Sequence, residues 1–361
     1  MDANFRTTGP TPLPPKVLLA IGKQMMSHRS EQFSEIMFNV IKYLQPIFGT
    51  KTSPLIFTAS GTGGLECAIV NILPPKTKAL SLEIGVFGRR FSEIAKAYNI
   101  ELKKLKVEDG KAIDPQDLKK FLRSNKNIGA VFITHNETST GILNPLKELI
   151  EVIRSESDAF VLVDAVSSAG ATELEMDNWG IDVIISASQK ALMSPPGITI
   201  LFVSNKAMKA SEMNNNPRYY FNFQKMETSI LKGSTTYTPA VTTIYGLEAA
   251  LELIHQEGLS EVYKRHRDLS ALCRNGLKSI GLELYGDIRF ASPTVTVIKL
   301  PNNLKAFEIK QRLENEFHIF LSQGKEKDSI NNILRIGHMG YINTKEIIHL
   351  IKGFKEVLTN I

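Results

Sequence analysis

The chain has 361 residues, enough for two domains or for one large domain carrying a smaller one. Hydrophobic residues make up 43% and charged residues 22%, the balance of an ordinary globular protein rather than a disordered or fibrous one. A net charge of +6, spread over 43 basic and 37 acidic residues without a Lys/Arg block, argues against a nucleic-acid or membrane-surface binder and implies at most a mild attraction for small anions.

The opening MDANFRTTGPTPLPP lacks a basic start followed by an apolar core, and no apolar run approaches the ~18 residues needed to span a bilayer. A cytoplasmic protein with no membrane or nucleic-acid partner is therefore expected. From about Pro54 to Val203, short apolar runs alternate with amphipathic helical patterns. The predicted strands are LIFTA, KALSL, ELKKLKV, GAVFIT, AFVLVDA, DVIIS and GITILFV. Crossover helices are predicted at Gly63 to Asn71, Arg89 to Tyr98, Pro115 to Arg123 and Pro145 to Ser155, from apolar residues at i, i+3 and i+4. Several strands are apolar on both faces, so the sheet should lie between helix layers. Beyond the aromatic stretch Asn214 to Gln224, long helices are predicted at about Pro239 to Gln256 and Leu259 to Ser279. A small α+β unit should follow, with strands TVTVIKL and ILRIGHM and helices near Lys305 to Glu316 and Thr344 to Leu358. Cys67 and Cys273 stand far apart with no CxxC or Cys/His grouping, so neither a disulfide framework nor a metal site is expected.

The most informative window runs VLVDAVSSAGATELEMDNWGIDVIISASQKALMSPPG. One strand ends on Asp164 and another runs into Ser188-Gln189-Lys190, so both polar ends should share the carboxyl edge of the sheet, where open α/β folds bind ligands. A lysine amine can form an imine with a pyridoxal aldehyde, while a carboxylate beside the pyridine nitrogen keeps it protonated and the ring electron-withdrawing. Alone, Asp164 reads as a turn cap and Lys190 as a surface lysine. Together at one edge they read as a pair.

Three further segments point the same way. Ser60-Gly61-Thr62-Gly63-Gly64 joins a strand to a helix, offering backbone N–H groups, a helix N-terminus and a hydroxyl to an anionic group. It matches neither GxGxxG nor GxxxxGK[ST], which weakens nucleotide readings. ITHNETSTG gathers His135, Asn136, Glu137 and Thr138 at a strand end, where one of them can bond a ring oxygen or simply cap a turn. Arg335 sits inside the apolar ILRIGHMG strand, suited to a substrate carboxylate or to an internal acid.

Together SGTGGLE, GVFGRR, HNETSTG, VDAVSSAGA, SASQKALMSPPG, TTYTPAV and LRIGHMG resemble the class V, fold-type I pyridoxal-phosphate aminotransferases, most of all the alanine–glyoxylate and serine–pyruvate group. The resemblance implies an α/β fold: a large domain with a mostly parallel seven-stranded sheet between helices, plus a small α+β C-terminal domain. The division expected is 1–14 for an N-terminal pocket segment, 15–256 for the cofactor-binding domain and 257–361 for the small domain. The cofactor implied is pyridoxal 5'-phosphate. Lys190 would bear it as a Schiff base, Asp164 would meet the pyridine nitrogen, and Thr138 would lie near the ring oxygen. Gly61, Thr62, Gly63 and Gln189 would hold the phosphate, and Phe87 would stack on the ring where relatives often carry Trp. Thr238, helped by Thr235, would reach the cofactor phosphate of a second chain, which makes the enzyme a homodimer. Arg335 would bind the substrate carboxylate, and Gly9 would line the substrate pocket.

The expected activity is transfer of an amino group from alanine or serine to glyoxylate or pyruvate by a ping-pong route, with Lys190 as general base. Aspartate or aminoethylphosphonate transaminases, and lyase or kynureninase-like enzymes, are the alternatives. A cysteine desulfurase needs a nucleophilic cysteine late in the chain, where this sequence has none. A non-catalytic homologue would have lost the lysine or its partner. No second substrate arginine is obvious, although Arg218 keeps a dicarboxylic donor open.

Overall fold

A computed structural model of the chain describes residues 3–324 and 332–359. All seven strands predicted between Pro54 and Val203 enter one sheet, in the order Leu55–Thr58, Ile198–Val203, Val183–Ala187, Phe160–Asp164, Ala130–Thr134, Lys78–Glu83, Glu101–Lys106. Ile198–Val203 runs antiparallel to both of its neighbours, and every other pairing is parallel. The central strands Ala130–Thr134, Val183–Ala187 and Ile198–Val203 are buried at every residue, which explains their unbroken apolar character. Glu101–Lys106 is one of the two edges, where Lys103, Lys104 and Lys106 discourage further pairing.

The helices confirm the crossover pattern with ends displaced by at most three residues. They lie at Gly61–Ile72, Val86–Ala97, Pro115–Ser124 and Leu146–Glu156. The first is capped by Ser60, whose hydroxyl accepts from the Gly63 N–H. It packs tightly on the sheet at Gly64, where an added Cβ would come within 2.2 Å of Thr199 Oγ1 and 2.7 Å of Ile185 Cγ2. That approach sets the helix N-terminus at the carboxyl edge of the sheet.

A second sheet orders Asn4–Arg6, Ile319–Gln323, Ile333–Gly337, Val295–Lys299 and Glu283–Leu284. Its first pair is parallel, Asn4 lying opposite Ile319, and the others are antiparallel. Helices Leu259–Ser279, Ala306–Phe317 and Thr344–Thr359 accompany it. One apolar core draws on residues from Val17 to Val262 and another on residues from Leu269 to Val357. Helices Pro15–Ile21 and Glu31–Phe48 and strands Asn4–Arg6 and Ile319–Gln323 are additions to the sequence reading. Among the described residues, no helix is long and apolar enough to cross a membrane.

Replacing Gly64 with Ala should destabilise the fold by about 1–3 kcal/mol, because the new Cβ overpacks against the buried side chains of Thr199 and Ile185. Gly22→Ala, whose Cβ would meet nothing closer than 3.7 Å, should change stability by less than about 0.5 kcal/mol. Denaturant unfolding of both variants checks the contrast.

Candidate active site

The parallel register places Asp164 opposite Ile185, so the Phe160–Asp164 and Val183–Ala187 strands end side by side. The chain beyond Ala187 is then pinned tightly. Ser188 N–H donates to Ile198 O, its hydroxyl donates to Pro195 O, and Ser194 N–H returns to Ser188 O. Met193 N–H donates to Lys190 O while Met193 itself adopts a left-handed φ of 55°. This knot aims Lys190 back across the sheet edge, into a cleft shared with Ser60, Gly61, Thr62, Phe87, Asn136, Asp164 and Gln189.

Asp164 is 6% exposed, and its Oδ1 accepts from the Val166 N–H at 2.9 Å. Burial pushes its carboxyl up to about 6, with the Val166 hydrogen bond opposing and the nearby Glu137 charge adding to the rise. An ionised Asp164 in the cleft therefore costs roughly 3 kcal/mol relative to water. Burial pulls the Lys190 ammonium down to about 8; Asp164 resists this, while Arg335 and Arg90 assist. Lys190 Nζ donates a short hydrogen bond to Thr8 O.

The N-terminal segment reaches Lys190 from the second sheet. Arg6 is buried and bonds Glu346 at 3.0 Å, while Asn4 Nδ2 donates to Glu346 O. Further along, Thr11 N–H donates to Gln189 O and its hydroxyl to Lys190 O. Gly9, at φ 110°, lies so close that an added Cβ would sit 2.5 Å from Lys190 Nζ. The predicted pocket position of Gly9 is thus beside the lysine head.

At the other end of the cleft, Gly63 N–H is capped by Ser60 Oγ and Gly64 N–H bonds Ser60 O. Among the described residues no acceptor meets the Gly61 and Thr62 N–H groups, which open onto the cleft as first-turn donors. Gln189 Oε1 is buried there without a hydrogen-bond partner. Thr138 is 1% exposed and is not among the residues that line the cleft. Arg335 is half-buried on its strand, with Nη2 donating to Gln323 O at 2.8 Å. Thr235 donates its hydroxyl to Tyr237 O, and Thr238 is exposed; neither lines the cleft of its own chain.

One cleft residue is an addition to the sequence reading. Arg90 lines the cleft, its guanidinium 4.8 Å from the centre of the Phe87 ring. The signal was the last arginine of GVFGRR, three residues after Phe87 and so on the same helix face. Arg218, by contrast, is spent on structure, donating to the carbonyls of Asn214, Asn216 and Ser211. His135 is also structural: burial pushes its imidazole down to about 3, and its backbone N–H donates to Asp164 O.

The family described as Aminotransferase class-V matches residues 4–350. A Synechococcus protein named soluble hydrogenase, small subunit, is 34% identical over 98% of this chain and 92% of its own. The serine–glyoxylate aminotransferase of Methylorubrum extorquens is 32% identical over 96% of this chain and 88% of its own. The crystal structure of an alanine–glyoxylate aminotransferase from Nostoc superposes with a TM-score of 0.94 at 26% identity, covering 99% of this chain and 96% of that one.

Because folding raises the carboxyl of Asp164, the cofactor-free protein loses stability from this group as pH climbs from about 4 through about 6. Asp164→Asn should therefore stabilise cofactor-free protein at pH 8 by up to about 3 kcal/mol and leave it nearly unchanged at pH 4. Urea unfolding at the two pH values measures this, and an equal effect at both would refute the assignment.

Proposed function

This chain belongs to the class-V aminotransferases, pyridoxal-phosphate-dependent enzymes of fold type I, and we propose that it moves an amino group from alanine or serine to glyoxylate or pyruvate. The observation that carries this reading is buried Asp164 at the end of its strand with half-buried Lys190 just beyond the end of the adjacent parallel strand, in a cleft whose far end offers unused donors.

The cleft residues fit the cofactor. A buried carboxylate raised by desolvation favours a cationic ring nitrogen beside it. The Gly61 and Thr62 N–H groups suit a phosphate at the helix N-terminus, with Gly63 shaping the turn, and Gln189 on the cleft wall would turn its amide NH2 toward it. Phe87 offers an apolar face for the ring, Thr138 would meet the ring oxygen, and Lys190 would anchor the aldehyde covalently. Once bound, pyridoxal phosphate supplies an electron-withdrawing ring that takes up the charge released at the substrate α-carbon.

Arg335 would hold the substrate carboxylate through its guanidinium, and Gly9 would leave room for the substrate beside the lysine. Burial that lowers the Lys190 ammonium to about 8 makes its proton far easier to lose than that of a free lysine, so Nζ can accept the α-proton and return it to the neighbouring carbon. Release of the first oxo acid before the second binds makes the cycle ping-pong. Residues 15–256 would hold the cofactor, 257–361 would form the small domain and 1–14 would close the pocket between them.

We also propose a cytoplasmic homodimer in which Thr238 and Thr235 complete the cleft of the second chain. Support comes from the exposed Thr238 and from its surroundings. Arg29 bonds Ser234 and Thr235, and the apolar side chains of Phe38 and Leu231 lie exposed nearby. A second reading, an acidic donor such as aspartate, is favoured by Arg90, which lines the cleft with no ionic partner among the described residues.

Protein supplied with pyridoxal phosphate should show a visible absorption band that shifts when alanine or serine is added, and Lys190→Ala should lower turnover by at least about 100-fold. A band that survives unchanged in Lys190→Ala would sink the role of the lysine. Initial rates for a matrix of alanine, serine and aspartate against glyoxylate, pyruvate and 2-oxoglutarate decide between the two donor readings.

A further inference from the structure

Glu137 is fully buried in the short hairpin strand Asn136–Glu137 that pairs with Ile142–Leu143. Its carboxylate is saturated by donors from two directions. Oε2 accepts from the backbone N–H groups of Phe87 at 3.0 Å and Gly88 at 3.2 Å. Oε1 accepts from Ser139 N–H at 3.1 Å and from the Ser139 hydroxyl at 2.6 Å, and Ser139 Oγ in turn accepts from Val86 N–H at 3.1 Å. The first-turn N–H groups of helix Val86–Ala97 are thus held by a loop some fifty residues away rather than by their own cap. That cap is Gly85, with no side chain to offer. A Cβ on Gly85 would come within 2.6 Å of Glu137 Cγ, Glu137 Cδ and Ser139 Oγ, so the glycine is required by the carboxylate that replaces its function.

The same first turn carries Phe87 into the cleft, and the Arg90 guanidinium covers that ring 4.8 Å from its centre. A buried anion bonded to the ring-bearing residue's own N–H leaves that backbone almost no freedom. We propose that Glu137 is a positioning residue, fixing the pitch at which Phe87 meets the cofactor ring. The inference rests on the cofactor reading given above. Phe87 has less stacking surface than a Trp, so its contribution depends more on being held at the right height and angle.

The experiment is a double-mutant cycle on cofactor affinity rather than on turnover. Apoprotein of the wild type, Glu137→Gln, Phe87→Ala and the double variant is titrated with pyridoxal phosphate, following the visible circular dichroism of the bound cofactor. Gln keeps the volume of Glu but turns an NH2 toward two donors. Glu137→Gln should weaken binding about tenfold in the wild-type background and less than twofold beside Phe87→Ala, with a changed dichroism in the single variant. The same loss in both backgrounds, or none in the wild type, would overturn the proposal. If Glu137→Gln does not fold, Ser139→Ala removes the hydroxyl that bridges the carboxylate to Val86 and should show the same non-additivity on a smaller scale; its absence there overturns the proposal equally. Wild-type protein that takes up no pyridoxal phosphate would overturn the cofactor reading, and this proposal with it.

Discussion

Desolvation of Asp164 is the constraint to which the rest of the cleft responds. Parallel pairing brings its strand and the one leading to Lys190 to a common edge, and the flanking core keeps water away from the carboxylate. In water the two side chains would carry opposite charges at little cost. Here each is pulled toward its neutral form, the acid up to about 6 and the amine down to about 8, and burial outweighs their mutual attraction in both. Such a pair is unfavourable for stability and useful for chemistry: the carboxylate lacks a cation and the amine holds its proton loosely.

The lysine end of that pair is stabilised from the second sheet. Residues 4–11 begin as an edge strand beside Ile319–Gln323, are tied down through buried Arg6 and Glu346, and finish against Gln189 and Lys190. Passage through so crowded a space requires glycine at several points. A Cβ on Gly337 would sit 2.0 Å from Thr7 O, and one on Gly340 would meet Thr11 Oγ1 and Lys190 O at 3.2 and 3.3 Å. The glycines of LRIGHMG are therefore the counterpart of the N-terminal TTGPT, each making room for the other, and the pair links the Arg335 strand to the lysine.

The sheet was legible in the sequence because its strands are buried on both faces, so each apolar run is bounded by polar ends that coincide with the site. Asp164, Lys190 and the Gly61–Thr62 turn were readable for the same reason: a strand end fixes where a side chain goes. Helix Glu31–Phe48 carries a Ser30 cap and buried residues at 33, 37, 40, 44 and 47, a clear 3.6-residue pattern, but it lies outside the alternation of strand and helix that marks the sheet. Strand Asn4–Arg6 is different. Three residues give no periodicity, and it exists only because Ile319–Gln323 offers an edge. Arg90 and Glu137 were visible as letters but not as partners, since their meaning depends on which loop meets which helix.

Glu137 and Asp164 make the division between framework and chemistry explicit. Both are buried acids, and both are raised by desolvation. Glu137 has four donors on its two oxygens, so its charge is matched locally and its geometry is fixed. Asp164 has one such donor, and its charge is left to be matched by whatever enters the cleft. Glu137 also raises Asp164 through space, so the anion that holds the Phe87 helix in place sharpens the demand for a cation at Asp164. Desolvation remains the larger cause of the rise at Asp164, so the main contribution of Glu137 to the cleft is geometric: it fixes the turn that presents Phe87.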